Sequence, residues 1–350
     1  MKKKVLFILP NLAAGGAERV ISFVAENIDC KKFESKLLIA GYEEDAAYPI
    51  DNLNVKFLEK KRVLTAIPGI FFFLLKNKPD IVLSSVGHLN TVMGLMAIFF
   101  YKTKFIIREA SVISSLNEFD AKPHSNNLHS YLSHLSYKKV DKIICQSQDM
   151  AKDFTEIYKN SKLKITIINN PITQFYPLKK NIKTSKSTMN FITVGRLSKE
   201  KGHLRIIKIL SKLDFQFHYT IIGSGPLKEK IFNAINEYNL NDKITYIPFT
   251  KEVLKYLSLN DLFLQGSYVE GFPNTVLESC YVGTPVIAFN VPGGTKEIII
   301  HEENGYLVET DDAYLHYLNN RLELNPKKIR ESVESRFNKE RIISQYEALF

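Results

Sequence analysis

The feature that most constrains the fold is a switch of hydrophobic period, repeated along almost the whole chain. Short apolar runs of strand length alternate with amphipathic helical stretches. The first run, residues 5–9, opens into Asn11-Leu-Ala-Ala-Gly15-Gly16-Ala-Glu18-Arg19 and a helix over 20–28. The pattern predicts further strands at 35–40, 55–57, 79–84, 104–107, 142–145 and 164–168, with helices at 66–75, 89–101, 128–139 and 149–158. A polar stretch, 173–188, reads as a linker. The alternation then restarts, with strands at 190–194, 218–222, 244–247, 262–265 and 286–289 and helices at 204–213, 227–238 and 254–259. The charged segment 326–350 reads as helix. Sustained strand–helix alternation predicts an α/β fold, here two Rossmann-like, doubly wound parallel-sheet domains. A chain of 350 residues is long enough for both.

Composition narrows the class. Hydrophobic content of 45% and charged content of 24% are those of a globular, water-soluble protein. Cys30, Cys145 and Cys280 show no CxxC spacing, which argues for a reducing, cytoplasmic setting and against a disulfide framework or zinc site. The start, Met1-Lys-Lys-Lys, resembles a signal peptide, but its apolar run stops at Pro10 and is too short. No apolar run approaches the roughly 20 residues of a membrane span. The net charge is +10, and residues 1–180 carry 26 Lys and Arg against 17 Asp and Glu. A basic half suits an anionic partner, nucleic acid or an acidic membrane surface. A lysine-favouring genome explains the same excess.

In open parallel sheets, ligands bind beyond the carboxyl ends of the strands. The unusual loops all fall there: Gly15-Gly16, Gly87-His88, Arg108-Glu109, Gly195 to Gly202, Gly223-Ser-Gly225-Pro226, and Glu270-Gly-Phe-Pro-Asn-Thr-Val-Leu-Glu278. Two domains facing each other with those edges make a central cleft. In the last stretch two carboxylates flank a loop that turns into a helix near Asn274. Pro273 suits the first helical turn, and Gly271 permits close backbone approach. The helix N–H groups form an anion site, and the carboxylates can grip hydroxyls. That combination fits a sugar nucleotide; a solvated loop with two surface acids is the plainer reading. Arg196 and Lys201 can place a fork and a point charge on a diphosphate, or simply face water. Gly223 and Gly225 fit a ligand loop or a tight turn. His88 fits a ligand site or a packed loop, and Arg108 with Glu109 fits a site or a neutral ion pair. The Gly-Gly pair is not GxGxxG and no P-loop occurs, so an ordinary dinucleotide or ATP site is not supported. Histidine spacing gives no metal pair, and no GxSxG is present.

Taken together these loops resemble the family 4 retaining glycosyltransferases of GT-B fold. The matching segments are Pro10 to Arg19, Val194-Gly-Arg-Leu-Ser-Lys-Glu-Lys-Gly202, Ile222-Gly-Ser-Gly-Pro-Leu227, the EX7E stretch Glu270 to Glu278, and Asn169-Asn-Pro-Ile172. The chain is most similar to bacterial enzymes that build capsule, O-antigen or other lipid-linked oligosaccharides. The resemblance implies three segments: an acceptor-binding domain over 1–175, a nucleotide-sugar domain over 176–325, and a C-terminal helix over 326–350 crossing back to the first domain. It implies that Arg196 and Lys201 neutralise the departing nucleoside diphosphate, helped by the backbone N–H of Gly16, with Gly15 also in the donor site. Glu270 would contact the donor sugar, and Phe272, Pro273, Asn274 and Thr275 would offer backbone amides. Glu278 would hold the ribose, Phe249 would lie near the base, and Gly223 and Gly225 would line the donor site. Many relatives have a histidine after the fifth strand where this chain has Glu109, so Glu109, Arg108 and His88 remain acceptor or donor-sugar candidates. No cofactor or metal is implied.

The expected reaction moves a hexose or N-acetylhexosamine, with retention, from a UDP-linked donor to a glycan acceptor on a polyprenyl diphosphate. Lys60-Lys61-Arg62 beside the apolar 67–75 suits a peripheral contact with an anionic membrane at the inner face of the cell membrane. Two alternatives use the same features differently: a UDP-sugar epimerase of GT-B fold, and a basic nucleic-acid- or membrane-binding module without catalysis. The epimerases lack the paired EX7E and GRxxxxKG segments. A nucleic-acid role has only charge behind it, and no nucleic-acid partner is expected.

Overall fold

The apolar runs become two parallel sheets. The computed structural model describes every residue except 14, 48, 49, 51, 52, 116–126, 160–163, 181–187, 321 and 322, and of 127–130 the backbone alone. The chain divides into two compact units, Met1–Thr173 with Lys339–Phe350, and Gln174–Asn338. Most of the expected linker, 181–187, lies outside the described residues.

Unit 1 contains β1 (Lys3–Leu9), β2 (Phe33–Ile39), β3 (Asn54–Phe57), β4 (Ile81–Ser85), β5 (Lys104–Arg108), β6 (Lys142–Cys145) and β7 (Ile165–Ile167). Their order is β3-β2-β1-β4-β5-β6-β7, parallel throughout. Val5 to Leu9 are all buried because helices cover both faces of a parallel sheet, so the strand reads as a continuous apolar run. The first helix, Gly16–Asn27, begins before the expected residue 20. Gly15 is its N-cap and Glu18 lies in its first turn, where a carboxylate complements the helix dipole. The polar pair Glu18-Arg19 hid that turn from a reading based on apolar spacing.

Unit 2 contains β8 (Met189–Val194), β9 (Phe217–Ile222), β10 (Ile244–Ile247), β11 (Leu262–Gln265), β12 (Val286–Phe289) and β13 (Gly305–Val308). Their order is β10-β9-β8-β11-β12-β13, again parallel. The alternation sets no element between 295 and 325, yet β13 and helix Asp311–Asn319 stand there. The Thr310 hydroxyl accepts from the Ala313 N–H at 3.1 Å and caps that helix, and Tyr314 stacks on Phe289 with ring centroids 4.8 Å apart.

Segment 326–350 is corrected from one helix to two. Helix Pro326–Phe337 belongs to unit 2 and packs on helix Asn274–Val282. The chain turns extended at Asn338, and Lys339–Glu347 adds Ile342, Ile343 and Tyr346 to the core of unit 1. The Phe350 ring meets Phe7 and Phe33 edge-on at 6.0 and 5.6 Å. The two packing demands, one on each unit, fix where the helix breaks.

Candidate functional site

In each sheet the strand order reverses at one point, between β1 and β4 in unit 1 and between β8 and β11 in unit 2. The loops leaving such neighbouring strands diverge to opposite faces and leave a crevice for ligands.

In unit 2 those loops are the GRxxxxKG turn after β8 and the segment leading to Glu270 after β11. Because β8 and β11 pair directly, Lys201 and Glu270 meet across 69 positions of sequence. The Lys201 Nζ donates to both Glu270 oxygens at 2.8 Å. The Ser267 hydroxyl donates to Glu270 Oε1 at 2.7 Å, and Gln265 Nε2 lies 3.4 Å from the same oxygen. Glu270 is 7% exposed and Lys201 30%. Desolvation offsets much of the pair's attraction, so its value is positional more than stabilising.

Backbone contacts hold this geometry. Gly202 has φ +64°, and a Cβ there would fall 1.9 Å from the Gly266 carbonyl oxygen. Only glycine lets the two loops cross this closely. Tyr268 N–H donates to the Glu200 carbonyl at 2.8 Å, fastening the same crossing. On its other side Glu270 rests on the loop after β12: its N–H donates to the Pro292 carbonyl at 3.0 Å, and Gly294 N–H donates to the Gly271 carbonyl at 2.8 Å. A Cβ on Gly293, at φ +124°, would fall 1.9 Å from the Glu270 carbonyl oxygen.

Arg196 is exposed, but its backbone is pinned. His203, 2% exposed, has Nε2 3.1 Å from the Arg196 carbonyl oxygen. Burial pulls the His203 pKa down to about 4, so the ring is neutral near pH 7 and its Nε2–H donates to that carbonyl. Gly223 and Gly225 lie against the backbone of Gly195 and Leu197, and Leu197 N–H donates to the Ser224 carbonyl at 2.9 Å. Phe249 is 57% exposed after β10, two strands from β8.

The start of helix Asn274–Val282 departs from expectation at Pro273. This residue is the N-cap, outside the first turn, and having no N–H it offers no amide to a ligand. Asn274 and Thr275 are half-buried at the helix start, while Phe272 is a core side chain, edge-on to Phe337 at 5.4 Å. Glu278 is buried one turn into the helix, which ends at Gly283 with φ +89°.

Unit 1 arranges its charges differently. Arg108 and Glu109 make no ion pair with each other among the described residues; alternation along the chain sends them to opposite sides. The Arg108 guanidinium is fully buried and donates to Asn170 Oδ1 at 2.5 Å and to Ser85 Oγ at 3.3 Å. Its charge also acts on Glu18, whose carboxylate folds back against Gly15. Glu109 Oε1 accepts from Asn90 Nδ2 at 2.8 Å and from the Tyr137 hydroxyl at 2.9 Å. Burial raises the pKa values of both Glu18 and Glu109, against the pull of Arg108. Beside them Val86 takes φ +82°, a costly conformation for a β-branched residue, and starts helix Gly87–Phe99. Gly15 and Gly16 stand at the start of helix Gly16–Asn27; Ala14 lies outside the described residues. His88 lines a pocket of about 580 Å³ whose walls include Asn11, Tyr42, Lys60, Lys61 and Arg62.

Several residues of these sites escape the sequence reading: Ser267, Gln265, His203, Gly293 and Gly294 in unit 2, and Glu18, Asn90 and Tyr137 in unit 1. Three carried a signal. Asn90 is a lone amide in an apolar helix, and Gly293-Gly294 is a glycine pair in the loop after a strand.

The family profile described as Glycosyltransferase Family 4 matches residues 14–173, and that described as Glycosyl transferases group 1 matches 177–336. The chain is 26% identical to N-acetylgalactosamine-N,N'-diacetylbacillosaminyl-diphospho-undecaprenol 4-alpha-N-acetylgalactosaminyltransferase of Campylobacter jejuni, covering 96% of this chain and 94% of that one. Among solved structures, the lipopolysaccharide outer core galactosyltransferase WaaB superposes with a TM-score of 0.75 at 18% identity, covering 98% of both chains. HepE of Anabaena, solved in complex with UDP and glucose, does so with a TM-score of 0.79 at 16% identity, covering 99% of both. The two profiles meet at residues 173 and 177, where unit 1 gives way to unit 2, and the chain belongs to glycosyltransferase family 4, with the GT-B fold.

Proposed function

We propose that this glycosyltransferase moves a hexose or N-acetylhexosamine, with retention, from a UDP-sugar to a glycan carried on a polyprenyl diphosphate, in bacterial surface-glycan synthesis at the inner face of the cell membrane. The observation that carries the donor assignment is the Lys201–Glu270 pair at the switch point of unit 2. Oε1 of Glu270 is occupied by Lys201 and Ser267, whereas among the described residues Lys201 is the only hydrogen-bond donor to Oε2. That oxygen keeps acceptor capacity for a sugar hydroxyl. Lys201 has a third N–H to give, and the exposed Arg196 has its whole fork; both serve the leaving diphosphate.

The main barrier is charge growing on that diphosphate and on an oxocarbenium-like sugar. Fixed cations stabilise the first, and each such donor is worth about 3–4 kcal/mol in the transition state. Glu270, tied to Lys201 and Ser267, suits hydroxyl binding better than covalent attack. Transfer therefore proceeds on the front face, a phosphate oxygen taking the acceptor's proton. Asn274 and Thr275 add the helix start, Glu278 the ribose contact and Phe249 a face for the base. The cations at 196 and 201 do the work a metal does elsewhere, so the reaction needs none. UDP and the lipid diphosphate draw support from the relatives: HepE was solved with UDP and glucose, and the Campylobacter jejuni enzyme is named for a diphospho-undecaprenol acceptor.

The test is a panel of nucleotide sugars, read by thermal shift and by the anomeric configuration of the product. An α-linked UDP-sugar should raise Tm and give an α-linked product, with or without chelator. A β-linked product would overturn retention. Stabilisation by another nucleotide alone would overturn UDP, and loss of turnover in chelator would overturn the metal-free route.

A further inference from the structure

We propose that one face of unit 1, built by helix Val63–Asn77 and the end of helix Gly87–Phe99, docks onto a bilayer rich in anionic lipid. Helix Val63–Asn77 is apolar on two sides. Val63, Ala66, Ile70 and Leu74 recur at helical spacing and face the protein core. Leu64, Pro68, Phe72 and Leu75 recur at the same spacing on the outside, where Leu64 is 72% and Phe72 67% exposed. A helix on a water-facing surface normally turns polar residues outward.

The patch continues beyond this helix. The Phe71 ring meets Phe72 and Phe99 edge-on at 6.1 Å and Phe100 at 5.2 Å, which joins the stripe to the end of helix Gly87–Phe99. There Phe99 is 67% and Tyr101 81% exposed. A contiguous exposed patch of large apolar side chains marks a contact surface.

Charge selects the partner. Residues 60–78 contain Lys60, Lys61, Arg62, Lys76 and Lys78 and no acid; Glu59 and Asp80 stand just outside. Basic groups thus bracket the apolar stripe at both ends, the arrangement of a helix lying in a membrane interface among anionic headgroups. A protein partner would meet this rim with acids; a second copy of this chain would bring like charges together. No helix among the described residues is long and apolar enough to cross a membrane, so the face lies on the bilayer.

The location also fits the enzyme's task. The pocket of about 580 Å³ shares Lys60, Lys61, Arg62 and Leu64 with the basic end of this face. On the reading that the acceptor is a lipid diphosphate, docking here brings its charged head level with the pocket while its chain stays in the bilayer.

The full chain should float with phosphatidylcholine vesicles that contain phosphatidylglycerol and stay behind with phosphatidylcholine alone. The double variant Phe72→Ser, Leu75→Ser removes two exposed side chains outside the pocket, so its Tm should match the wild type. Its bound fraction should fall at least tenfold. Equal flotation of variant and wild type, or no flotation on anionic vesicles, overturns the proposal. So does a dimer in light scattering that the double variant dissolves without any lipid binding. Flotation uses neither donor nor acceptor, so it separates this proposal from the transferase reading: a chain that floats but transfers nothing keeps the docking face and loses the proposed reaction.

Discussion

The two switch points carry similar side chains and use them in opposite ways. In unit 2 a lysine and a glutamate 69 positions apart form a direct pair, and the lysine reaches solvent. In unit 1 an arginine and a glutamate adjacent in sequence form no ion pair among the described residues; both are buried, and Asn90 links them by donating to the Arg108 carbonyl and to Glu109. Neighbours along extended chain point apart, while strand order makes neighbours of distant loops. The first arrangement keeps its lysine within reach of solvent, so a ligand can meet it without the pair being broken. The second is locked, since exposing it means breaking buried hydrogen bonds.

Three substitutions separate the two arrangements. Arg108→Ala removes a buried cation whose charge acts on Glu18 and Glu109 and takes away one hydrogen bond to Asn170 Oδ1. The expected loss is about 3–5 kcal/mol, seen as a lower denaturant midpoint. An unchanged midpoint would mean that unit 1 is not locked by this residue.

His203 gives unit 2 a pH dependence. Its folded pKa, about 4, lies below the ordinary value of 6.5, so between those values the unfolded chain binds more protons. Stability is full above about pH 6.5 and falls as pH drops toward 4, by at most about 3 kcal/mol. His203→Gln should flatten that part of the pH–stability curve; an identical slope in the variant would refute the assignment.

Tyr137→Phe is the mildest change. It removes one of two donors to Glu109 Oε1 and leaves Asn90 in place. The cost should be about 1 kcal/mol by thermal unfolding. A loss as large as that of Arg108→Ala would show that the Glu109 network, and not the arginine, holds unit 1.

Elements with strong alternation were legible because burial on both faces writes a continuous apolar run: residues 142–145, 262–265 and 286–289 match the observed strands, and 244–247 matches at the sheet edge without that burial. Where polar residues serve the backbone, the pattern fails. Glu18 concealed the first turn of its helix, and β13 opens on Gly305 straight after the polar run Glu302-Glu303-Asn304, which leaves only three apolar residues to read. The loops that gather around Glu270 were legible as loops, and Lys201 and Glu270 were each marked for a ligand. Their direct pairing was not, since it depends on β8 and β11 being neighbours. Ser267 and His203 left no trace, for a serine and a histidine beside glycines look the same in any surface loop.

The central claim is that the Lys201–Glu270 pair and Arg196 form the donor site. Steady-state transfer from the UDP-sugar by Lys201→Ala, beside Arg196→Ala and wild type, tests it most directly, with Tm measured to confirm folding. Each variant should remain folded and lose at least tenfold in kcat/KM, and 10²–10³ if the cation acts fully in the transition state. Wild-type turnover in both variants would contradict the account.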